Sequence, residues 1–195
     1  MEKKKLVVLC GLKGAGKSTL ALYLRDKYEF QRMSFADRLK TMLCTLGVSF
    51  DNVYGDKKEE PCEVLCGKSA RYAMQTLGTE WGRNLIGKDI WVKDLERELN
   101  VFGDSHVYCH GFVIDDLRFY SEYEWAIKLR DKFDVYVIRV IRPISEVNKD
   151  THSSENESES FKEDWTIWNH LSKEEAYKSL CSILGLNYKE EGNDI

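Results

Sequence analysis

The stretch from Leu6 to Leu20, LVVLCGLKGAGKSTL, constrains this chain more than any other. Its apolar run, Leu6 to Cys10, stops abruptly at Gly11 and predicts a buried strand. From Thr19 onward the pattern predicts a helix. Between them, Gly11-Leu12-Lys13-Gly14-Ala15-Gly16-Lys17-Ser18 fits G-x-x-x-x-G-K-[ST], the phosphate-binding loop pattern. Glycines let the backbone bend so that successive N–H groups face an anion, and the helix adds its positive end. In that reading Lys17 reaches the β- and γ-phosphates and the Ser18 hydroxyl binds Mg²⁺. A chance glycine turn is the plain alternative. The strand before it and the helix after it argue against that.

A chain of 195 residues is long enough for one domain with a real core. A net charge of −4 with 32% charged residues gives no basic surface for a nucleic-acid polymer. No apolar run approaches a membrane span, and the N-terminus lacks the long apolar segment of a signal peptide. Six cysteines, at 10, 44, 62, 66, 109 and 181, read as free thiols of a reducing compartment rather than as a zinc site. The expected location is cytoplasmic.

Strands alternate with helices along the chain. Strands are expected at 5–10, about 31–35, 107–115, 135–141 and 165–168. Helix one is expected at 17–27, with Leu20 and Leu24 inward. Asp37 is expected to cap a helix carrying Leu39, Met42, Leu43 and Leu46 on one stripe, stopped by Gly47. Residues 48–68 read as an irregular loop. Residues 69–83, SARYAMQTLGTEWGR, start as a helix that Gly78 and Gly82 weaken. Trp91, Leu95 and Leu99 form the inner face of another helix. Ser121 with Glu124, and Ser172 with Glu175, read as capping boxes. Residues 145–164 are polar and acidic, and the last ten residues read as frayed. The pattern predicts an α/β fold, a central parallel sheet with helices on both faces, and ligands at the carboxyl ends of its strands.

Four stretches add chemistry to the loop. At a strand end, Asp115-Asp116-Leu117-Arg118 offers a carboxylate for Mg²⁺ opposite Ser18, with Asp116 preferred to Asp115. Arg71, Gln75, Thr79, Glu80 and Arg83 fall within 13 residues. Arginine forks suit phosphate, and the amide and carboxylate suit a base edge. Arg142 follows a buried strand, where a cation could swing over a phosphoryl group. Asp150-Thr151-His152-Ser153-Ser154-Glu155 lies in the acidic segment beyond it. Taken singly, the first also reads as a helix N-cap and the other three as ordinary surface.

Together and in this order, GLKGAGKST, SFADRLK, RYAMQTLGTEWGR, IDDLRF and THSSE resemble the bacteriophage deoxynucleoside monophosphate kinases, from about residue 5 to 185. Where many members have Pro-Asn before Glu122, this chain has Tyr120-Ser121. Trp168-Asn169 is a weak match to the family's strand-end asparagine. The resemblance implies a P-loop kinase-type three-layer fold. It implies a core at 1–36, 104–141 and 165–190, a monophosphate-binding region at 37–103, and a lid at 142–164. It implies transfer of the ATP γ-phosphoryl group to a dNMP, with ATP held by Gly11 to Thr19, including Lys13, Gly14, Ala15, Gly16, Lys17 and Ser18. Arg71, Gln75, Thr79, Glu80, Arg83 and Arg118 would bind the acceptor, with Ser34, Phe35 and Asp37 at its edge. His152 and Glu155 would belong to the lid with Arg142. Lys17, Arg142 and Asp116 would be catalytic. A homodimer is compatible with the family but specified by no pattern.

The acceptor oxygen of a monophosphate is already anionic, so no general base is required. Two readings stay open beside this one. One is a P-loop kinase for another small phosphorylated acceptor, a ribonucleotide or a metabolite. The other is a nucleotide-dependent switch, which lacks its guanine-binding motif here. Tyr72 and Trp81 read first as core aromatics, and otherwise as a wall against a ribose 2′-OH. The preferred base is not legible.

Overall fold

The structure, a computed structural model, describes residues 3–104, 109–143, 157, 160–170 and 172–190. The chain divides into two compact units, one of residues 1–33 with 107–195 and one of residues 34–106.

The first unit holds one sheet. Its strands are β1 (Lys5–Cys10), β2 (Phe30–Met33), β3 (Gly111–Ile114), β4 (Asp134–Ile141) and β5 (Trp165–Trp168). They run in the order β2-β3-β1-β4-β5, and every pair is parallel. β1 lies in the middle, which is why Leu6 to Cys10 have no exposed surface. Burial drives the Cys10 thiol up to about 11, so it stays a neutral packing group.

Helices α1 (Lys17–Tyr28) and α7 (Lys173–Leu184) share one core with this sheet. Val7, Leu9, Ile138 and Ile167 meet Leu20, Leu24, Leu180 and Leu184 there. Each such leucine contributes about 2 kcal/mol of burial. By strand alternation Leu6, Val8 and Phe112 point to the opposite face, where Phe133 lies edge-on to Phe112 at 5.8 Å. Ser172 caps α7 by accepting from the Glu175 N–H at 3.1 Å, as its spacing predicts. Gly185 closes it with φ +65°.

Two expectations for this unit are corrected. The end of the chain is not frayed through residue 190. Tyr23 donates to the Lys189 carbonyl at 2.7 Å and Tyr28 to the Asn187 carbonyl at 2.6 Å. Two buried phenols need acceptors, and the tail supplies them. Helix α6 (Tyr120–Lys128) is capped at Phe119, not at Ser121. The buried Glu122 carboxylate accepts the N–H groups of Arg118 at 2.8 Å and Phe119 at 3.1 Å.

The second unit contains α2 (Asp37–Thr45), α3 (Phe50–Val53), α4 (Ala70–Gln75) and α5 (Ile90–Asp104). Residues 48–68 are more ordered than expected. Val48 and Val53 join Leu43 and Ala70 in a small core, with Cys62 and Leu65 packed on it. Ala36, not Asp37, is the N-cap of α2, and Asp37 opens its first turn. Leu39 and Leu43 are buried as expected, whereas Leu46 is exposed. The six thiols are free, and among the described residues no cluster of His, Cys, Asp or Glu could hold a metal. No helix among the described residues is long and apolar enough to cross a membrane.

On α5, burial pushes the Glu98 carboxyl above its usual range. Asp37 repels it further, Arg38 partly opposes this, and Asp94 adds repulsion. A raised carboxyl pKa contributes stability at low pH that is lost as pH rises through the folded value. Glu98→Gln is therefore expected to stabilise the chain at pH 7, by less than about 1 kcal/mol. The gain should fade near pH ~4, where the unfolded carboxyl also holds its proton. Urea titrations at both pH values check this, and a destabilised variant at pH 7 would contradict it.

Candidate active site

The loop between β1 and α1 takes left-handed turns at three glycines. Gly11 has φ +130°, Gly14 +82° and Gly16 +103°. A side chain at Gly11 would collide with the Val140 carbonyl of β4, and one at Gly16 with the Asn169 amide. Sequence spacing therefore selects glycine here for both conformation and close approach. Ala15 is buried and its N–H donates to the Leu12 carbonyl at 3.2 Å. Lys13 and Thr19 are half-buried, and Ser18 is exposed in the first turn of α1.

Lys17 is 8% exposed, and its ammonium donates to the carbonyls of Gly11 at 2.5 Å and Leu12 at 2.8 Å. The loop thus keeps a cation on its own rim. α1 begins at Lys17 with Gly16 as its N-cap and no side-chain cap, which leaves its positive end to the loop.

β3 pairs with β1 in register Val8 to Ile114, so Asp115 and Asp116 follow at the same end of the sheet as the loop. Asp115 is buried, and both its carboxylate oxygens accept from one guanidinium nitrogen, Nη2 of Arg32 in β2, at 2.8 and 3.2 Å. Asp116 is half-buried. An exposed hydroxyl and a half-buried carboxylate are the hard oxygen donors that Mg²⁺ takes beside nucleotide phosphates, so Ser18 and Asp116 fit the ion. Arg118 is half-buried in the turn that Glu122 fastens. Arg142 is exposed just after β4. His152 and Glu155 lie outside the described residues, as does the whole Asp150–Glu155 stretch.

The acceptor candidates belong to the second unit. Ser69 caps α4 by accepting from the Tyr72 N–H at 3.2 Å. After Gln75 the helix widens into a π-helical segment, Thr76–Ile86. The helical backbone continues through both glycines. The Trp91 indole donates to the Gly78 carbonyl at 2.8 Å and packs against Gly82, where any Cβ would meet the ring. Gly82 makes room for Trp91 of α5. Gly87 closes the segment with its N–H on the Gly82 carbonyl at 2.9 Å.

Within this segment Gln75, Thr79 and Arg83 are half-buried and Glu80 is exposed. Arg83 donates to the Lys88 carbonyl at 3.4 Å, and Arg71 pairs with Glu59 at 3.2 Å. Ser34 is buried, and its hydroxyl accepts the Ala36 N–H at 3.2 Å. Phe35 is buried too, while Asp37 pairs with Lys40 at 3.2 Å. Tyr72 and Trp81 are 49% and 39% exposed, so neither is the core aromatic expected.

One residue was not among the candidates. The Asn169 side chain, just beyond β5, donates to the Ala15 carbonyl at 2.8 Å. In the sequence it is a weak match to the family's strand-end asparagine, which does not show that the strand ends beside the loop.

The sequence model of the deoxynucleotide monophosphate kinase family matches residues 63–180, more than half the chain. That match begins beyond the phosphate loop and contains the π-helical segment and the Asp115-Asp116 turn. A protein of Acanthamoeba polyphaga mimivirus, provisionally named a deoxynucleotide monophosphate kinase, is 31% identical over 92% of this chain and 95% of its own. Two solved structures share the fold at TM-score 0.51. They are Mycobacterium tuberculosis APS kinase CysC with AMPPNP and APS, 15% identical over 95% of this chain and 99% of that one. The other is TT1252 of Thermus thermophilus, 17% identical over 95% and 98%. An α/β fold of the P-loop kinase type, with a glycine loop and buried lysine at the centre of its sheet, therefore carries a family signature outside that loop: the chain belongs to the deoxynucleotide monophosphate kinases and is a phosphoryl-transferring enzyme.

Proposed function

We propose that the enzyme transfers the γ-phosphoryl group of ATP to a deoxynucleoside monophosphate, giving ADP and the diphosphate. The observation that carries this reading is the left-handed loop from Gly11 to Gly16, with Lys17 buried on its rim. Gly11 to Thr19 hold the ATP phosphates through backbone N–H groups. Lys17 exchanges its bonds to the Gly11 and Leu12 carbonyls for phosphate oxygens. Ser18 and Asp116 would hold Mg²⁺, Asp116 standing half-buried at the same end of the sheet as the loop. The ion supplies charge neutralisation and orientation of the phosphate oxygens.

Arg71 and Arg83 hold the acceptor phosphate, and Gln75, Thr79 and Glu80 face its nucleoside. Arg118, Ser34, Phe35 and Asp37 complete that side. Arg142 with His152 and Glu155 forms the lid over the transferring group. Region 37–103 is the monophosphate-binding part, 142–164 the lid, and the remainder the core. The nucleophile is an anionic phosphate oxygen, so the protein's work is alignment and neutralisation of two anions. Closure also excludes water as a competing acceptor. Six free thiols suit a reducing cytoplasm, the host's if the source is viral.

Arg83→Ala is expected to raise the dNMP KM about 100-fold, as for loss of a charge-assisted phosphate contact, and the ATP KM less than about twofold. Initial rates with each substrate varied in turn check this. Equal changes in both constants would remove Arg83 from the acceptor site.

A further inference from the structure

We infer that Asn169 is a positioning residue that sets the phosphate loop in its working conformation. The inference rests on Gly11–Thr19 being the ATP phosphate site. A loop that turns its N–H groups inward turns its carbonyls outward, and a buried carbonyl needs a donor. The Ala15 carbonyl finds one in the Asn169 amide at 2.8 Å. A trans peptide is planar, with its C=O and N–H on opposite sides. Fastening the Ala15 carbonyl on the outside therefore aims the Gly16 N–H to the inside of the loop.

Asn169 is itself held. Its backbone N–H donates to the Ile141 carbonyl at 2.8 Å, extending the pairing of β5 with β4 by one residue. The amide thus stands on the rigid sheet rather than on a free turn. Its Nδ2 also occupies the place that a Cβ at position 16 would fill. The left-handed Gly16 and the asparagine are a matched pair, one giving the space and the other using it. The side chain touches the back of the loop, so it acts on phosphate through the Ala15–Gly16 peptide.

The test is a pair of variants, Asn169→Ala and the isosteric Asn169→Asp, whose ionised carboxylate cannot donate to Ala15. Both should raise the ATP KM about tenfold, because a misaimed loop N–H loses its phosphate contact. The dNMP KM should stay within about twofold. Asn169→Gln, which keeps the amide, should recover part of the ATP effect. Equal changes in both KM values, no change in either, or failure of both variants to fold would overturn the inference. Lys17→Ala assayed for ATP binding by calorimetry separates the two claims. Normal ATP binding there would remove the phosphate-site reading itself. Lost binding there, with unaltered Asn169 variants, would remove only the role of Asn169.

Discussion

Lys17→Ala is expected to lower kcat by about 10³-fold, the scale of removing one donor aimed at developing charge. The folded chain should lose less than about 1 kcal/mol. The asymmetry follows from where the ammonium sits. It donates to two carbonyls of its own loop, those of Gly11 and Leu12, and both residues are half-buried. Water can replace the ammonium at those oxygens, so the fold tolerates the loss. The loop conformation is fixed independently by three left-handed glycines and by Asn169. In the proposed site, the charge that Lys17 would bring to the phosphates has no substitute. Steady-state turnover and a thermal melt of the same preparation check both halves. Unchanged turnover would end the assignment of the loop.

Gly82→Ala is expected to destabilise the protein by about 2–3 kcal/mol, at the upper end of overpacking costs. The added Cβ would lie 2.6 Å from Trp91 Cζ2 and 2.8 Å from its Cε2 and Nε1. The indole cannot step aside cheaply, since it is 2% exposed and bonded to the Gly78 carbonyl. Because Arg83 follows directly, the dNMP KM should rise as well. Gly78→Ala is the control. Its Cβ meets only Leu39 Cδ2 at 3.4 Å, and alanine favours a helical backbone over glycine by up to ~1 kcal/mol. That variant should be neutral or slightly stabilised. Urea unfolding of the two variants compares them, and equal stabilities would contradict the packing argument.

Local signals were legible where one stretch decides its own structure. The apolar run, the glycine spacing and the lysine of β1 to α1 needed no distant partner. The same holds for the Ser172 cap of α7 and for the short strand at 165–168. Features that depend on distant partners were not. The π-helical segment is one, with Trp91 packed against Gly82 and donating to the Gly78 carbonyl. The tail to residue 190 is fastened because Tyr23 and Tyr28 need acceptors more than 150 residues away. Ser121 matched a capping pattern, but burial of Glu122 moved the cap to Phe119. In the candidate site the sequence favoured Asp116 over Asp115 without showing that β2 brings Arg32 to Asp115. Asn169 was only a weak match to the family's strand-end asparagine, and its contact with the loop emerges only when β5 ends beside Ala15.

The most direct test of the account is ADP release from ATP measured across a panel of dNMPs and NMPs. The account predicts release stimulated by at least one dNMP, with one deoxynucleoside diphosphate formed per ADP. Slow ATP hydrolysis that no dNMP accelerates would contradict it.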